Sequence, residues 1–326
     1  MIEAIAFGNI EAAPQKSGNG RIYSFSGGQE PNGLAVYPVL PGISVMYQTF
    51  HSEACLTNFH YHGRVLTVDC CCEGRIEWQC SNDTYSYLEE RNIQVSTRQD
   101  CVGSFGFPTR HYHGATIVLK PEEATRALLS SEGIADLLGI DPDSLWKRYD
   151  DLGGNIQLPG NPELERMFRE ISVLDPERSA ARLRLKVLDI LLQLGQLELT
   201  AEDRVHQYYP RSVVEKVRQA KELLFADPSA RHSLQELSAR FGLSETMLKR
   251  GFKSVYGNSP YAYLKEYRLQ LGADALRAGY KSIAEIALDS GYENPSKFTA
   301  AFRAKYGMTP SAYRNSCRKL MTGTDY

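Results

Sequence analysis

Two stretches of the chain repeat one pattern of apolar and polar positions. Ser233-Leu234-Gln235-Glu236-Leu237-Ser238 and Ser282-Ile283-Ala284-Glu285-Ile286-Ala287 share the order Ser, apolar, variable, Glu, apolar, small, 49 residues apart. Gly242 and Gly291 keep that offset; beyond them it becomes 50, pairing Leu248 with Phe298, Phe252 with Phe302, Tyr256 with Tyr306, and Pro260 with Pro310. In each copy a Ser followed three positions later by Glu predicts a capping box at a helix start. The glycine then supplies the backbone freedom of a tight interhelix turn. The helix opened by Ser244 buries Leu248, Gly251, Phe252 and Val255 at helical spacing, which leaves Glu245, Thr246, Lys249, Arg250 and Lys253 outward. In the second copy Phe298, Ala301, Phe302 and Tyr306 face inward, and Ser296, Lys297, Thr299, Ala300 and Arg303 outward. The pattern predicts helix-turn-helix units at about 233–256 and 282–306, joined by a helix at about 260–278.

Upstream the period changes to two. Ile43, Val45 and Tyr47 alternate, Val65 to Cys72 is an apolar run, Gly74-Arg75 reads as a turn, and Ile76 to Cys80 follows as a further strand. A β domain over about 1–120 is predicted, followed by helices over about 121–202. These helices show as Leu128, Leu129, Leu137 and Leu138 in one segment and Leu164, Met167, Phe168 and Ile171 in another. The clearest is Ser179 to Leu197, with Leu183, Val187, Ile190, Leu191 and Leu194 in one stripe. That stripe is open to two readings, packing against the β domain or the seam of a homodimer. Asp203 to Ser212 reads as a linker. The fold class expected is α+β, a β domain with following helices and an all-α C-terminal domain.

Composition narrows the function classes. A chain of 326 residues has room for two domains, and 42% hydrophobic with 23% charged residues excludes a disordered chain. Seven cysteines without a basic, apolar leader predict a reduced, cytoplasmic protein, and no apolar run reaches the roughly 18 residues of a membrane span. The net charge of -2 conceals an asymmetry: residues 205–326 carry 19 Lys and Arg against 11 Asp and Glu, net +8, and residues 1–204 are net -10. A basic segment that also holds paired helix-turn-helix units predicts double-stranded DNA as a partner, because Lys and Arg neutralise phosphates and release counterions.

Leu237-Ser238-Ala239-Arg240-Phe241-Gly242-Leu243-Ser244, Arg250-Gly251-Phe252-Lys253, Ser290-Gly291-Tyr292 and Phe302-Arg303-Ala304-Lys305-Tyr306-Gly307-Met308-Thr309-Pro310 together resemble the signature of AraC/XylS-type transcription regulators. The resemblance runs from about Ser212 to Arg314. It implies a two-motif DNA-binding domain whose recognition helices enter successive major grooves of a promoter. A homodimer, contact with RNA polymerase and a lean toward activation are also implied. Base reading falls on Thr246, Lys249 and Arg250 in the first unit and on Ser296, Lys297, Thr299 and Ala300 in the second. Ala300 departs from the longer polar residue often found there and can touch only a thymine methyl; Ser238 replaces the usual alanine.

Leu66 to Trp78, with its Glu73-Gly74-Arg75-Ile76-Glu77-Trp78 core, together with Phe107-Pro108 and Tyr112-His113-Gly114, resembles the sensor half of the pyochelin-regulator branch. That similarity implies a cupin-like barrel binding a small-molecule effector, a siderophore or another aromatic compound. Tyr47, Tyr61, Trp78, Phe107 and Tyr112 are flat side chains suited to an apolar pocket, and Arg64 suits an acidic ligand group. The domains expected are thus 1–204 for ligand sensing and dimerisation and 205–326 for DNA binding.

Two chemistries compete with this reading. His60-Tyr61-His62-Gly63 and His111-Tyr112-His113-Gly114 each put two histidines on one strand face, a potential metal set. Metal-binding cupins typically place a glutamate shortly after the first pair, where Val65, Leu66 and Thr67 stand, and no carboxylate is evident for a facial triad. No metal or cofactor is therefore expected; the rival is a metal-dependent cupin-type enzyme with a helical appendage. Cys70-Cys71-Cys72, with Cys55, Cys80 and Cys101, raises a redox-sensing regulator, although no CxxC pair exists and cysteine also serves as a small buried hydrophobe. The expectation is a ligand-responsive, sequence-specific DNA-binding regulator and not an enzyme.

Overall fold

Alternating side chains give the central sheet two apolar faces, and each face has its own core. In the strand Ile43–Phe50, Val45 points to one core and Met46 to the other; Cys70 and Cys71, and Ile117 and Val118, divide in the same way. The computed structural model describes residues 6–7, 15–25, 32–58, 63–80, 82–97, 101–129, 139, 141–158, 160–199, 208–230 and 232–322. The chain divides into two compact units, Met1–Arg211 and Ser212–Tyr326.

In the first unit, antiparallel strands form a curled sheet in the order 6–7, 54–58, 101–106, 66–80, 112–119, 43–50, 32–40, 20–25, 15–17. The curl turns on the long strand Leu66–Cys80. Its first half pairs with Tyr112–Leu119 and Ile93–Ser96, and its second half with Cys101–Gly106 and Thr84–Glu89. Between the halves Gly74 stands at φ 79, and a Cβ there would lie 1.9 Å from the carbonyl oxygen of His111. The turn expected at Gly74-Arg75 is thus a bulge within one strand, with His113 opposite Glu73 and Gly114 opposite Cys71. The extra residue bends the strand and redirects its pairing, where a turn would have reversed it.

One face of the sheet packs against the helices Pro142–Asp151, Pro162–Ser172 and Ala180–Gln196, which contribute Tyr149, Phe168, Ile171 and Leu191 to a core shared with Val45, Val68 and Ile117. Two of these helices begin where the sequence supplies a cap and a proline: Asp141 accepts from the Asp143 N–H and Asn161 from the Leu164 N–H. The opposite face holds Met46, Phe50, Phe107 and Tyr112. Two strands that lack any periodic signal extend the sheet from the helical region, Asn155–Leu158 against Ile93–Ser96 and Tyr208–Pro210 against Thr84 to Ser86. The expected linker therefore ends in a strand, and residues 203–207 lie outside the described residues, as do Leu137 and Leu138.

Leu183, Val187, Ile190, Leu191 and Leu194 are each no more than 2% exposed and all belong to the helix-facing core. This corrects the homodimer-seam reading of the stripe. An amphipathic helix buries its apolar face on the nearest apolar surface, and here that surface is the unit's own sheet.

The second unit is helical throughout its described residues after Pro210. Both capping boxes form: Ser233 Oγ accepts from the Glu236 N–H at 3.1 Å while the Ser233 N–H donates to Glu236 at 2.8 Å, and Ser282 with Glu285 gives 3.2 and 2.7 Å. The helix pairs 234–241 with 245–256 and 283–289 with 295–306 are joined by Pro260–Ala278. Leu269, Ala273 and Leu276 of that connecting helix pack with Ile286, Phe298 and Phe302. Gly272 permits the contact, because a Cβ there would sit 2.7 Å from the Phe298 ring. The connecting helix also meets the helix Arg211–Ala226, where Phe225 stacks on Tyr267 with ring centroids 3.9 Å apart, and Arg268 Nε donates to Pro228 O at 2.7 Å. No described helix is long and apolar enough to cross a membrane.

The burial of the 180–196 helix makes a direct prediction. Leu191→Ala lowers unfolding free energy by about 2–5 kcal/mol in denaturant titration, while sedimentation gives the same molecular mass as the parent chain. A changed mass with undiminished stability would restore the seam.

Candidate functional site

The second helix of each pair is positioned by a cap and a glycine. Gly242 takes φ 60 at the end of Leu234–Phe241, which lets the chain turn within two residues to Ser244. Ser244 Oγ then accepts from the Met247 N–H at 3.1 Å and starts Glu245–Tyr256. Leu248, Phe252 and Val255 are fully buried beneath that helix, and Glu245, Thr246, Lys249, Arg250 and Lys253 are exposed above it. In the second pair Asn294 accepts from the Ser296 N–H at 2.8 Å, Phe298 and Phe302 are fully buried, and Ser296, Lys297, Ala300 and Arg303 are exposed with Thr299 half-buried. All the residues that the repeat places outward thus lie on the open side of the second helix of their pair. Such a face combines backbone N–H groups at the helix start, suited to phosphate oxygens, with long donors one and two turns further on, suited to base edges.

The first unit contains a cavity of about 810 Å³ on the helix-facing side of the sheet, walled by Tyr37, Tyr47, Cys72, Glu73, His113 and Arg169 among others. The Tyr47 hydroxyl donates to Ile171 O at 2.9 Å, and burial pushes its ionisation well up, so it stays a donor. Its ring lies 6.0 Å from that of Tyr37. Of the six side chains proposed from sequence as ligand contacts, Tyr47 lines this cavity and Tyr61 lies outside the described residues. The other four lie away from this cavity. Phe107 and Tyr112 are stacked in the opposite core, each 1% exposed, with centroids 5.5 Å apart. Trp78 stands edge-on to Phe105 at 6.5 Å on that same core. Arg64 pairs with Glu122 at 3.0 Å and Asp143 at 2.8 Å and covers the Trp146 ring, so its charge is already matched. Aromatic type alone does not distinguish a pocket wall from a core; strand parity does, since Tyr47 shares its face with Val45.

At one end of the neighbouring strands Ile43–Phe50, Tyr112–Leu119 and Leu66–Cys80, His51, His111 and His113 come together, with ring nitrogens within 4.8 Å of one another. His51 Nδ1 lies 3.3 Å from His111 Nδ1, and the Glu73 carboxylate lies 3.0 Å from His111 Nε2 and 3.6 Å from His113 Nδ1. The hydrogen bond from His111 and the nearby imidazoles hold the Glu73 carboxyl below its usual range. The sequence paired His111 and His113 with His60 and His62, which lie outside the described residues. It missed His51, a lone histidine with no spacing signal, and Glu73, whose side chain reaches the site only because of the bulge.

Among the cysteines, Cys70 is buried toward the helices, Cys71 is buried in the opposite core, and Cys72 is half-buried at the cavity with its Sγ 3.4 Å from Ser172 Oγ. Donation from the Cys70 thiol, joined by Ser172, lowers the Cys72 thiol below the usual thiol range, whereas burial pushes Cys55 up to about 11.

Residues 237–316 match the helix-turn-helix domain family. An AraC-like transcription regulator of Streptomyces antibioticus is 29% identical over 173 residues, covering 51% of this chain and 57% of that relative. The HTH-type transcriptional regulator ExsA of Pseudomonas aeruginosa is 38% identical over 88 residues, 26% of this chain and 32% of that relative. The chain thus spans about half or less of the length of these relatives. A crystal structure of an AraC family transcriptional regulator from Rhodopseudomonas palustris is similar at 28% identity over 32% of this chain and 97% of that one, with a TM-score of 0.29. Residues 237–316 therefore carry an AraC-type helix-turn-helix domain, and two of the relatives it resembles are an AraC-like and an HTH-type transcription regulator.

Proposed function

We propose that the chain is a ligand-responsive transcription regulator that binds double-stranded promoter DNA through both helix pairs of its second unit. The observation that carries this reading is the division of Glu245–Tyr256 into a fully buried apolar face and an exposed face bearing Thr246, Lys249, Arg250 and Lys253, repeated in Pro295–Tyr306. Lys249 and Arg250 donate to guanine O6 and N7, while Ser296, Lys297 and Thr299 position the second helix and Ala300 meets a thymine methyl. The connecting helix Pro260–Ala278 holds the two readers at a fixed spacing, as two successive major grooves one helical turn apart require. Activation, with RNA polymerase as a further partner, follows from the resemblance to AraC-type regulators.

The first unit is read as the sensor, its curled sheet as cupin-like. Its cavity has two tyrosine walls and nearby Arg91 and Arg169, a lining suited to a small aromatic or acidic effector. The short motifs shared with the pyochelin-regulator branch support a siderophore or another aromatic molecule. Effector binding would bias the DNA-competent arrangement by its differential affinity for the two states. Homodimerisation belongs to this reading through a face other than the buried stripe; Leu185, 69% exposed on the outer side of its helix, marks such a face.

Fluorescence anisotropy on upstream and scrambled duplexes tests the DNA reading. Binding is expected to prefer the upstream duplex and to fall steeply with salt. Lys249→Ala and Arg250→Ala should each cost about 1–3 kcal/mol of specific binding with an unchanged melting temperature, because both are solvent-exposed. Equal affinity for the two duplexes overturns the proposal. The cysteine geometry gives a second expectation: of Cys55, Cys70, Cys71 and Cys72, iodoacetamide alkylates Cys72 first, its rate rising with pH at a lower pH than an ordinary thiol requires. Peptide mapping that finds Cys55 or Cys71 modified as fast would refute the assignment.

A further inference from the structure

We propose that His51, His111 and His113 bind a divalent first-row transition-metal ion, with Glu73 as the carboxylate that orients the imidazoles. Imidazole nitrogens suit Zn²⁺, Fe²⁺, Co²⁺ and Ni²⁺, whereas the hard cations Mg²⁺ and Ca²⁺ require more oxygen donors than this cluster offers.

The sheet itself assembles the cluster. Phe50 pairs with Tyr112 and His113 pairs with Glu73 across three adjacent strands, so His51, His111, His113 and Glu73 meet at one end of a hydrogen-bonded ladder. Both segments that supply histidines from beyond a strand end are pinned. The His51 N–H donates to Asn32 Oδ1 at 2.6 Å, and Asn32 is 4% exposed. The segment before His111 is closed by Arg110 N donating to Phe107 O at 2.8 Å, with Arg110 at φ 57. A site preorganised in this way does not depend on loop ordering.

The distances are those of a coordination sphere. For metal–nitrogen bonds of about 2.0–2.1 Å, the edge of a tetrahedron is about 3.3–3.4 Å, and His51 Nδ1 and His111 Nδ1 are 3.3 Å apart. The third imidazole closes on the same centre by ring rotation from within 4.8 Å. The hydrogen bond of His111 Nε2 to Glu73 at 3.0 Å fixes the tautomer that leaves Nδ1 as the lone-pair donor. This carboxylate–histidine–metal relay is the usual support of a ligating imidazole. Three protein nitrogens leave a fourth position for water or an effector oxygen. Because His113 and Glu73 also line the cavity, that position belongs to its wall; this last step rests on the cavity being the effector site, and the metal site itself does not.

The test uses the full chain after chelator treatment and involves no DNA, so its outcome is independent of the regulator reading. Titration with Co²⁺ is expected to reach one equivalent, with the visible absorption of a nitrogen-ligated ion and no thiolate charge-transfer band, and Zn²⁺ should displace it. Glu73→Gln, at an exposed side chain, should weaken Zn²⁺ binding about 10- to 100-fold; His51→Ala and His113→Ala should weaken it further, with far-UV circular dichroism reporting the fold. The proposal fails if no equivalent binds, or if affinity is unchanged in Glu73→Gln and in both histidine variants. It also fails if the Co²⁺ spectrum shows a thiolate band that Cys72→Ser removes. Should a histidine variant misfold, the parent Co²⁺ spectrum and Glu73→Gln still decide.

Discussion

The first unit depends on a backbone crossing at Gly74. There the longest strand passes so close to the His111 carbonyl that no side chain fits, and its φ of 79 is one that other residues rarely adopt. Because the strand bends at that point, its two halves pair with different neighbours, and one strand serves both layers of the curl. Beside the crossing, the Glu73 carboxylate meets His111 and Cys72 lines the cavity. Architecture, cavity and histidine cluster therefore meet at one place. A residue with a Cβ at position 74 would have to move the 111–113 segment, and with it all three.

The second unit solves a different problem, that of holding short helices in place while one face of each stays polar. Isolated helices of this length are marginal in water, so their order comes from caps and from burial. Capping boxes at Ser233 and Ser282 satisfy backbone donors at the helix starts, and Phe252, Phe298 and Phe302 fill the space beneath the outward faces. Rigidity of the buried side is what allows the exposed side to be polar, since none of Thr246, Lys249, Arg250, Ser296 or Lys297 is needed for packing. The stability of this unit and its chemistry reside on opposite faces of the same helices.

In the first unit the core and the cavity are less separable. Tyr47 contributes both a cavity wall and a hydrogen bond to the helix Pro162–Ser172, and Cys72 lies between the core and the cavity. An effector entering there would contact groups that also fix the helix to the sheet. Such overlap couples occupancy of the cavity to the packing of that helix.

The sequence by itself determined the elements whose signals are local. The repeated Ser-x-x-Glu caps, the turn glycine at 242 and the inward and outward faces of the second helix of each pair were legible because a cap involves residues three apart and a helix face is set by 3.6-residue periodicity. Tertiary structure decided whatever depends on partners distant in the chain. The apolar stripe from Leu183 to Leu194 fits a neighbouring subunit as well as the unit's own sheet, and only the sheet's position chose between them. Phe107 and Tyr112 look like pocket residues until the register puts them in the opposite core, and a glycine that reads as a turn becomes a bulge only when His111 lies across it. His51 and Glu73 are 22 residues apart in the chain and gain their relation to His111 and His113 from strand pairing, an interaction whose partners no local pattern specifies.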